Sequence, residues 1–276
     1  MSLVLPILLV ALATGVAVGA MLLVRRRAPD GSYFADSDRA AGVFGVITTG
    51  FSVLLGFVIF LAFTSYDDTK QGAEVEALVV AQQFETAQFM PSAQRQALSD
   101  GLVCYAAYVV NREWPMLEDG TLDNSFNPWG VALFQTITSV EPQAASEQSA
   151  YDTWLGQTSA REEARRDRVH GAVGVIPTPI WVVLFLIGGV IFAYMLFFAD
   201  SGERAVVQAM LMGSVVSVIT LLFLLLATLD NPFHGGVGGL EPIAMERTLG
   251  IIDEALTAID VSVTIPCDED GARATP

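Results

Sequence analysis

The sequence predicts an all-α integral membrane protein with four transmembrane helices in two hairpins and one helical extramembrane domain. Three observations predict it. The 276-residue chain is 53% hydrophobic, with a mean hydropathy of +0.51. Its apolar residues gather into four long runs of the kind that cross a bilayer, which takes about 20 such residues. The polar stretch between the second and third runs carries helical periodicity.

Charge narrows the function classes. Only 14 Lys and Arg stand against 30 Asp and Glu, a net charge of −16, so nucleic acid is not an expected partner. No span contains a charged residue or histidine, which argues against a pump or a charged-substrate transporter. His170 and His234 stand without a Cys or carboxylate constellation, so no catalytic residue, metal site or cofactor is expected.

The first hairpin is expected over 1–64, with spans at about 3–24 and 43–64. Arg25, Arg26 and Arg27 follow the first apolar run and nothing basic precedes it, unlike a cleaved signal peptide. The triplet is expected in the cytoplasm, with the N-terminus outside.

Within the second run, Gly42 to Tyr66, the residues Gly42, Gly45, Thr49, Ser52 and Gly56 recur at spacings of three and four, forming one stripe of a helix. Small side chains let helix backbones approach closely, so the stripe is expected to face protein. A neighbouring face carries Thr49, Val53, Phe57, Phe60 and Thr64. Packing of both faces against other spans of the same chain is one reading; copies of the helix lining a pore is the other. Asp67 and Asp68 follow the span as candidate pore-mouth acids.

Residues 65–175 form the expected extramembrane domain. Glu74 to Met90 continues the second helix. Ser92 is a candidate N-cap for a helix reaching Glu113, with an apolar stripe at Leu98, Leu102, Tyr105 and Val109, and Trp114-Pro115 is expected to end it. A helix over 129–140 carries Leu133, Phe134 and Ile137. Another, over 144–170, is apolar at Tyr151, Trp154 and Leu155 and then densely charged as REEARRDR, read as a solvated face with Glu162 paired to Arg166.

The second hairpin occupies 176–229, with spans at about 176–198 and 205–229. Gly213, Ser214, Ser217 and Thr220 make a small, hydroxyl-bearing patch for helix contact. GGVGG at 235–239 reads as a flexible link. Within 230–276, Met245, Leu249, Ile252, Leu256 and Ile259 form a coiled-coil-like seam, expected to dock on the domain or on another copy. Residues 261–265 read as a short extended segment and 268–276 as a loose tail. The expected topology puts Cys104 and Cys267 on the same side of the membrane; a disulfide between them is possible only if that side is oxidising, and two unrelated thiols are the alternative.

Three separated motifs carry a resemblance. TTGFSVLLGFVIF in the second span, YAAYVVNREWPMLEDG from Tyr105 to Gly120 and LDNPF from Leu229 to Phe233 resemble the bestrophin-like proteins of bacteria, and the likeness covers about 42–256. The matching motif residues include Glu113, Trp114, Pro115, Asp230, Asn231, Pro232 and Phe233. The chain is more distantly similar to bestrophin chloride channels, which are pentamers whose second helix lines a hydrophobic neck. That resemblance implies neck positions at Thr49, Val53 and Phe57, a homo-oligomer and conduction of inorganic ions. The acidic run that follows NPF in calcium-gated members is absent, so calcium gating is not implied.

The expected function is thus an oligomeric ion channel of the bacterial plasma membrane, multi-pass in the lipid bilayer and not an enzyme. A membrane-anchored interaction or sensing module is the alternative. The arginine triplet places the helical domain outside the cytoplasm, whereas the four arginines at 161–168 and the cytosolic bulk of bestrophins argue for the opposite side.

Overall fold

The computed structural model describes residues 4–121, 127–258 and 266–273. Among them all regular structure is helical, and four helices are long and apolar enough to cross a membrane. These are α1 (Val4–Arg25), α2 (Ser37–Ala87), α7 (Thr178–Phe197) and α8 (Ala205–Asp230). Between α2 and α7 lie α3 (Ser92–Tyr108), a π-helical turn (Val109–Glu113), α4 (Trp114–Glu118), α5 (Pro128–Thr138) and α6 (Ala145–His170). α9 (Ile243–Ala258) follows α8.

Helix α2 runs for 51 residues without proline, and Asp36 caps its start by accepting from the Arg39 N–H at 3.0 Å. At about 1.5 Å per residue it is more than twice as long as the ~30 Å hydrocarbon layer is thick. It belongs to both of the compact units into which the chain divides. The first unit comprises 1–65, 174–231 and 236–238; the second comprises 66–173, 232–235 and 239–276.

In the first unit α1 packs chiefly on α8. Gly213 lies against Thr14 and Val18, and the Thr14 and Ser217 hydroxyls bond at 2.8 Å, so part of the expected small-residue patch is this contact. Ser214 is exposed on the side of α8 that faces α2, its hydroxyl turned back to the Leu211 carbonyl. Phe44 stacks on Tyr194 and Phe51 meets Phe223 edge-on, which seats α2 against α7 and α8. Arg25 donates to the carbonyls of Ser201 and Glu203, and the Asp200 carboxylate accepts from the N–H groups of Gly31 and Gly202. The two polar turns of the unit are thereby tied together.

The core of the second unit gathers around α3. Leu98, Leu102, Tyr105 and Val109, the stripe expected from spacing, are completely buried. Ser92 is the first helical residue and not the cap, which is Pro91. Trp114-Pro115 does not end the helix. A π-helical turn precedes the proline instead, widening the backbone where a regular α-helix would meet the pyrrolidine ring and lack a donor.

Leu133 and Ile137 are buried, but Phe134 is 59% exposed, because only positions four apart point inward from so short a helix. Leu155 also points outward, while Trp154 is buried. From α9, Met245 and Ile252 enter the core, Leu249 and Leu256 pack at its edge, and Thr248 donates to the Ala77 carbonyl. The fifth seam position, Ile259, and the segment 261–265 lie outside the described residues.

Residues 268–273 are not loose. The Asp268 carboxylate accepts from the N–H groups of Asp270 and Ala272, and Gly271, at φ +75°, turns the chain directly over the backbone of Tyr108. Cys267 is joined to Cys104 by a disulfide. Trp129 donates to the Gly271 carbonyl at 2.6 Å, Asn111 to that of Glu269, and Arg112 pairs with Asp270. Composition suggested a free end because these anchors lie far away in sequence.

Candidate functional site

Two arrangements stand out, one on α2 in the first unit and one inside the second. On α2, the residues Phe51, Leu55, Val58 and Ala62 recur at four, three and four and are buried against their own chain. The other sides are uncovered. Val53, Phe57 and Phe60 are 70%, 60% and 64% exposed, and Thr49 is exposed beside them. Gly42, Gly45 and Gly56 have nothing from the same chain within 4 Å of where a Cβ would stand. Packing of both faces within one chain is therefore overturned: the buried stripe took the contacts with α7 and α8.

Thr48, Ser52 and Thr64 turn their hydroxyls back onto carbonyls one turn earlier, which satisfies them in an apolar setting. An open cleft of about 460 Å³ runs beside this helix, lined by Phe44, Thr48, Phe51, Ser52, Leu55, Gly56 and the facing side of α8. Beyond the span, Asp67 accepts from Gln71 and Asp68 is exposed.

The second arrangement is a buried ion-pair cluster that sequence reading misplaced. Arg161, Arg165 and Arg168 of REEARRDR do not form a solvated face. They are spaced four and three, in register with Ala150 and Trp154, so the core stripe of α6 continues through them. Arg168 donates to Glu76 at 2.5 Å and to Glu113 at 2.6 Å, with all three side chains buried. Arg165 donates to Glu113 at 2.9 Å, Arg161 to Gln83 at 2.7 Å, and Tyr105 to Glu76 at 2.6 Å. Glu162 lies on Arg161 at 3.2 Å rather than on Arg166.

Electrostatics follow from these contacts. Burial opposes ionisation of Glu113, but the charges and hydrogen bonds of Arg168 and Arg165 outweigh it and hold the carboxyl below its usual range. Burial, seconded by the negative charge of Glu76, pushes the Tyr105 phenol well up, so it remains a donor. Burial works against the Arg168 charge, yet Glu76 and Glu113 raise its pKa. The π-helical turn is what sends Glu113 inward while Asn111 and Arg112 of the same turn hold the C-terminal segment.

Of the remaining motif residues, Trp114 meets Phe233 edge-on at 5.2 Å and donates to the Leu240 carbonyl. Asp230 accepts from the Ile176 N–H at 2.9 Å and from the Trp181 indole at 3.2 Å, fastening the start of α7 to the end of α8.

A model of the bestrophin-like domain matches residues 11–238. The chain belongs to the bestrophin-like family. Solved structures share the fold of this bestrophin-like protein. A bacterial bestrophin homologue from Klebsiella pneumoniae superposes with a TM-score of 0.67 at 12% identity, covering 91% of this chain and 98% of that one. A crystallised membrane protein gives 0.65 at 12% identity, covering 98% and 99%. No curated protein sequence matches. The bestrophin-like assignment and the four apolar helices make this a membrane protein.

Proposed function

We propose that this bestrophin-like protein is a homo-oligomeric ion channel in which α2 lines the pore with Thr49, Val53, Phe57 and Phe60. One observation carries the reading: a long spanning helix leaves a run of glycine, serine and threonine uncovered beside an exposed face of valine and phenylalanine. Lipid gains nothing from contact with exposed helix backbone, whereas a second copy gains close packing. The small-residue stripe then makes the joint between subunits, and the adjacent face closes on an axis as a hydrophobic constriction. Five copies are proposed by family likeness. Asp67 and Asp68, repeated around that axis, favour cations at its mouth.

The second unit stands outside the bilayer in this reading, and the two hairpins cross the bacterial plasma membrane. The Cys104–Cys267 disulfide supports an extracytoplasmic side, since such bonds persist in oxidising compartments. No enzymatic role is proposed.

The test is ion flux in liposomes containing the purified protein. Flux that changes in rate or ion preference with Phe57→Ala and Val53→Ala supports the channel. Absent flux, or flux indifferent to both, favours an interaction or sensing module. Impermeant thiol labelling of intact cells after mild reduction tests the side: labelling that appears only on lysis puts the second unit in the cytoplasm.

A further inference from the structure

We propose that the Cys104–Cys267 bond is a redox-sensitive latch, opened by a dithiol, and that 266–273 is the strap it releases from α3 and α5. The two ends of the bond differ. Cys104 is completely buried on α3, whereas Cys267 lies half-buried at the edge of the core, so a thiolate arriving from solvent meets the Cys267 sulfur.

Exchange then runs in two steps. The attacking thiolate forms a mixed disulfide with Cys267, and Cys104 leaves as a thiolate that takes up a proton. The second thiol of the reductant, as its thiolate, displaces Cys267, which is protonated in turn. The dithiol ends as a disulfide and both cysteines end as thiols. A protonated Cys104 behaves as a small hydrophobe, so the core around α3 keeps its packing. Leu98, Leu102, Tyr105 and Val109 hold that helix without help from the strap.

Little else holds the strap. From Asp268 to Arg273 its sequence is DEDGAR, with no apolar side chain larger than alanine, so burial of apolar surface contributes little. Arg112 and Asp270 pair where they are 45% and 57% exposed, and the bond from Asn111 to the Glu269 carbonyl is exposed as well. The bond from the Trp129 indole to the Gly271 carbonyl is the buried one among these, and both groups regain water when the strap lifts.

The covalent link therefore decides between a held strap and a free one, the bistable element that a thiol switch requires. In the oxidising compartment proposed above the latch rests closed. Opening it uncovers Trp129 and frees Asn111 and Arg112 of the π-helical turn, the same turn whose Glu113 meets Arg165 and Arg168.

The test is hydrogen exchange followed by mass spectrometry on the full-length protein in detergent, compared when oxidised, when reduced with dithiothreitol and when reoxidised with oxidised glutathione. Reduction is expected to speed exchange in 266–273 by about tenfold or more while α3 and α9 change by less than about twofold, and reoxidation restores the protection. In the reduced protein a maleimide should modify Cys267 about tenfold faster than Cys104. Trp129→Phe, which removes the buried donor, should speed exchange of the strap further in the reduced protein and leave the oxidised protein unchanged. A bond that resists dithiothreitol under native conditions, exchange in 266–273 unmoved by complete reduction, or protection not recovered on reoxidation overturns the proposal. So does exchange that rises across the whole second unit with both cysteines modified alike, since the bond is then a structural staple.

Discussion

Arg168 of α6 and Glu76 of α2 meet at 2.5 Å with neither side chain exposed, and the same guanidinium reaches Glu113 across the core. Two carboxylates and an arginine that lie far apart in sequence thus share one buried site. A buried pair is not stabilising by virtue of being ionic, because desolvation offsets most of the attraction. Removing one member is another matter, since it strands the other's charge.

Arg168→Met is therefore expected to destabilise the second unit by about 3–5 kcal/mol, and Glu76→Gln by a similar amount. Arg112→Ala, which breaks a pair exposed on both sides, should cost under about 1 kcal/mol. Thermal unfolding in detergent followed by circular dichroism separates the two classes. Equal midpoints for Arg168→Met and Arg112→Ala would contradict the buried cluster.

Acid should weaken the same cluster. Glu113 has a folded-state pKa below its ordinary 4.5, so its contribution is complete above that value and is lost as pH falls through the lower, folded value. Asp100, raised by burial against the opposing Gln96 hydrogen bond, acts in the reverse sense and gains as it protonates. Midpoints measured from neutral pH down to about 3 should fall on the acid side for the native protein. Glu113→Gln should start lower and fall less.

The Cys104–Cys267 bond closes a loop of 163 residues. Chain-entropy reasoning bounds its contribution at about 5 kcal/mol, less wherever inserted spans already restrict the unfolded chain. The double variant Cys104→Ala, Cys267→Ala should lower the unfolding midpoint and speed amide exchange in 266–273, where the backbone leans on Asn111 and Trp129. Unchanged exchange would mean that those hydrogen bonds alone hold the segment.

Two glycines of α2 should respond oppositely. A Cβ on Gly72 would sit 2.8 Å from the Arg168 backbone nitrogen and 2.9 Å from the Ala164 carbonyl oxygen, so Gly72→Ala forces α2 away from α6. A cost of about 1–3 kcal/mol is expected in the unfolding midpoint. Gly56 has open space around it, and Gly56→Leu should leave the single chain intact while lowering the oligomer mass measured by native mass spectrometry. An unchanged mass would argue against the small-residue stripe as a subunit joint.

Much of this architecture is legible in the residues alone. Long apolar runs free of charge predict the candidate spans because every polar group must be satisfied within a bilayer, and α1, α2, α7 and α8 follow from that. The stripe from Leu98 to Val109 and the seam at Met245 and Ile252 follow from helical period. The three motifs carry the family.

Pairing across the chain was decided only by tertiary structure. REEARRDR has the composition of a wet surface, and nothing local distinguishes a guanidinium in water from one held by carboxylates brought from α2 and the π-helical turn. The C-terminal residues read as a tail for the same reason: their disulfide and hydrogen-bond partners lie on α3, the π-helical turn and α5. Burying charge costs too much for a sequence to show which charges are buried until the partners that neutralise them have been folded into place.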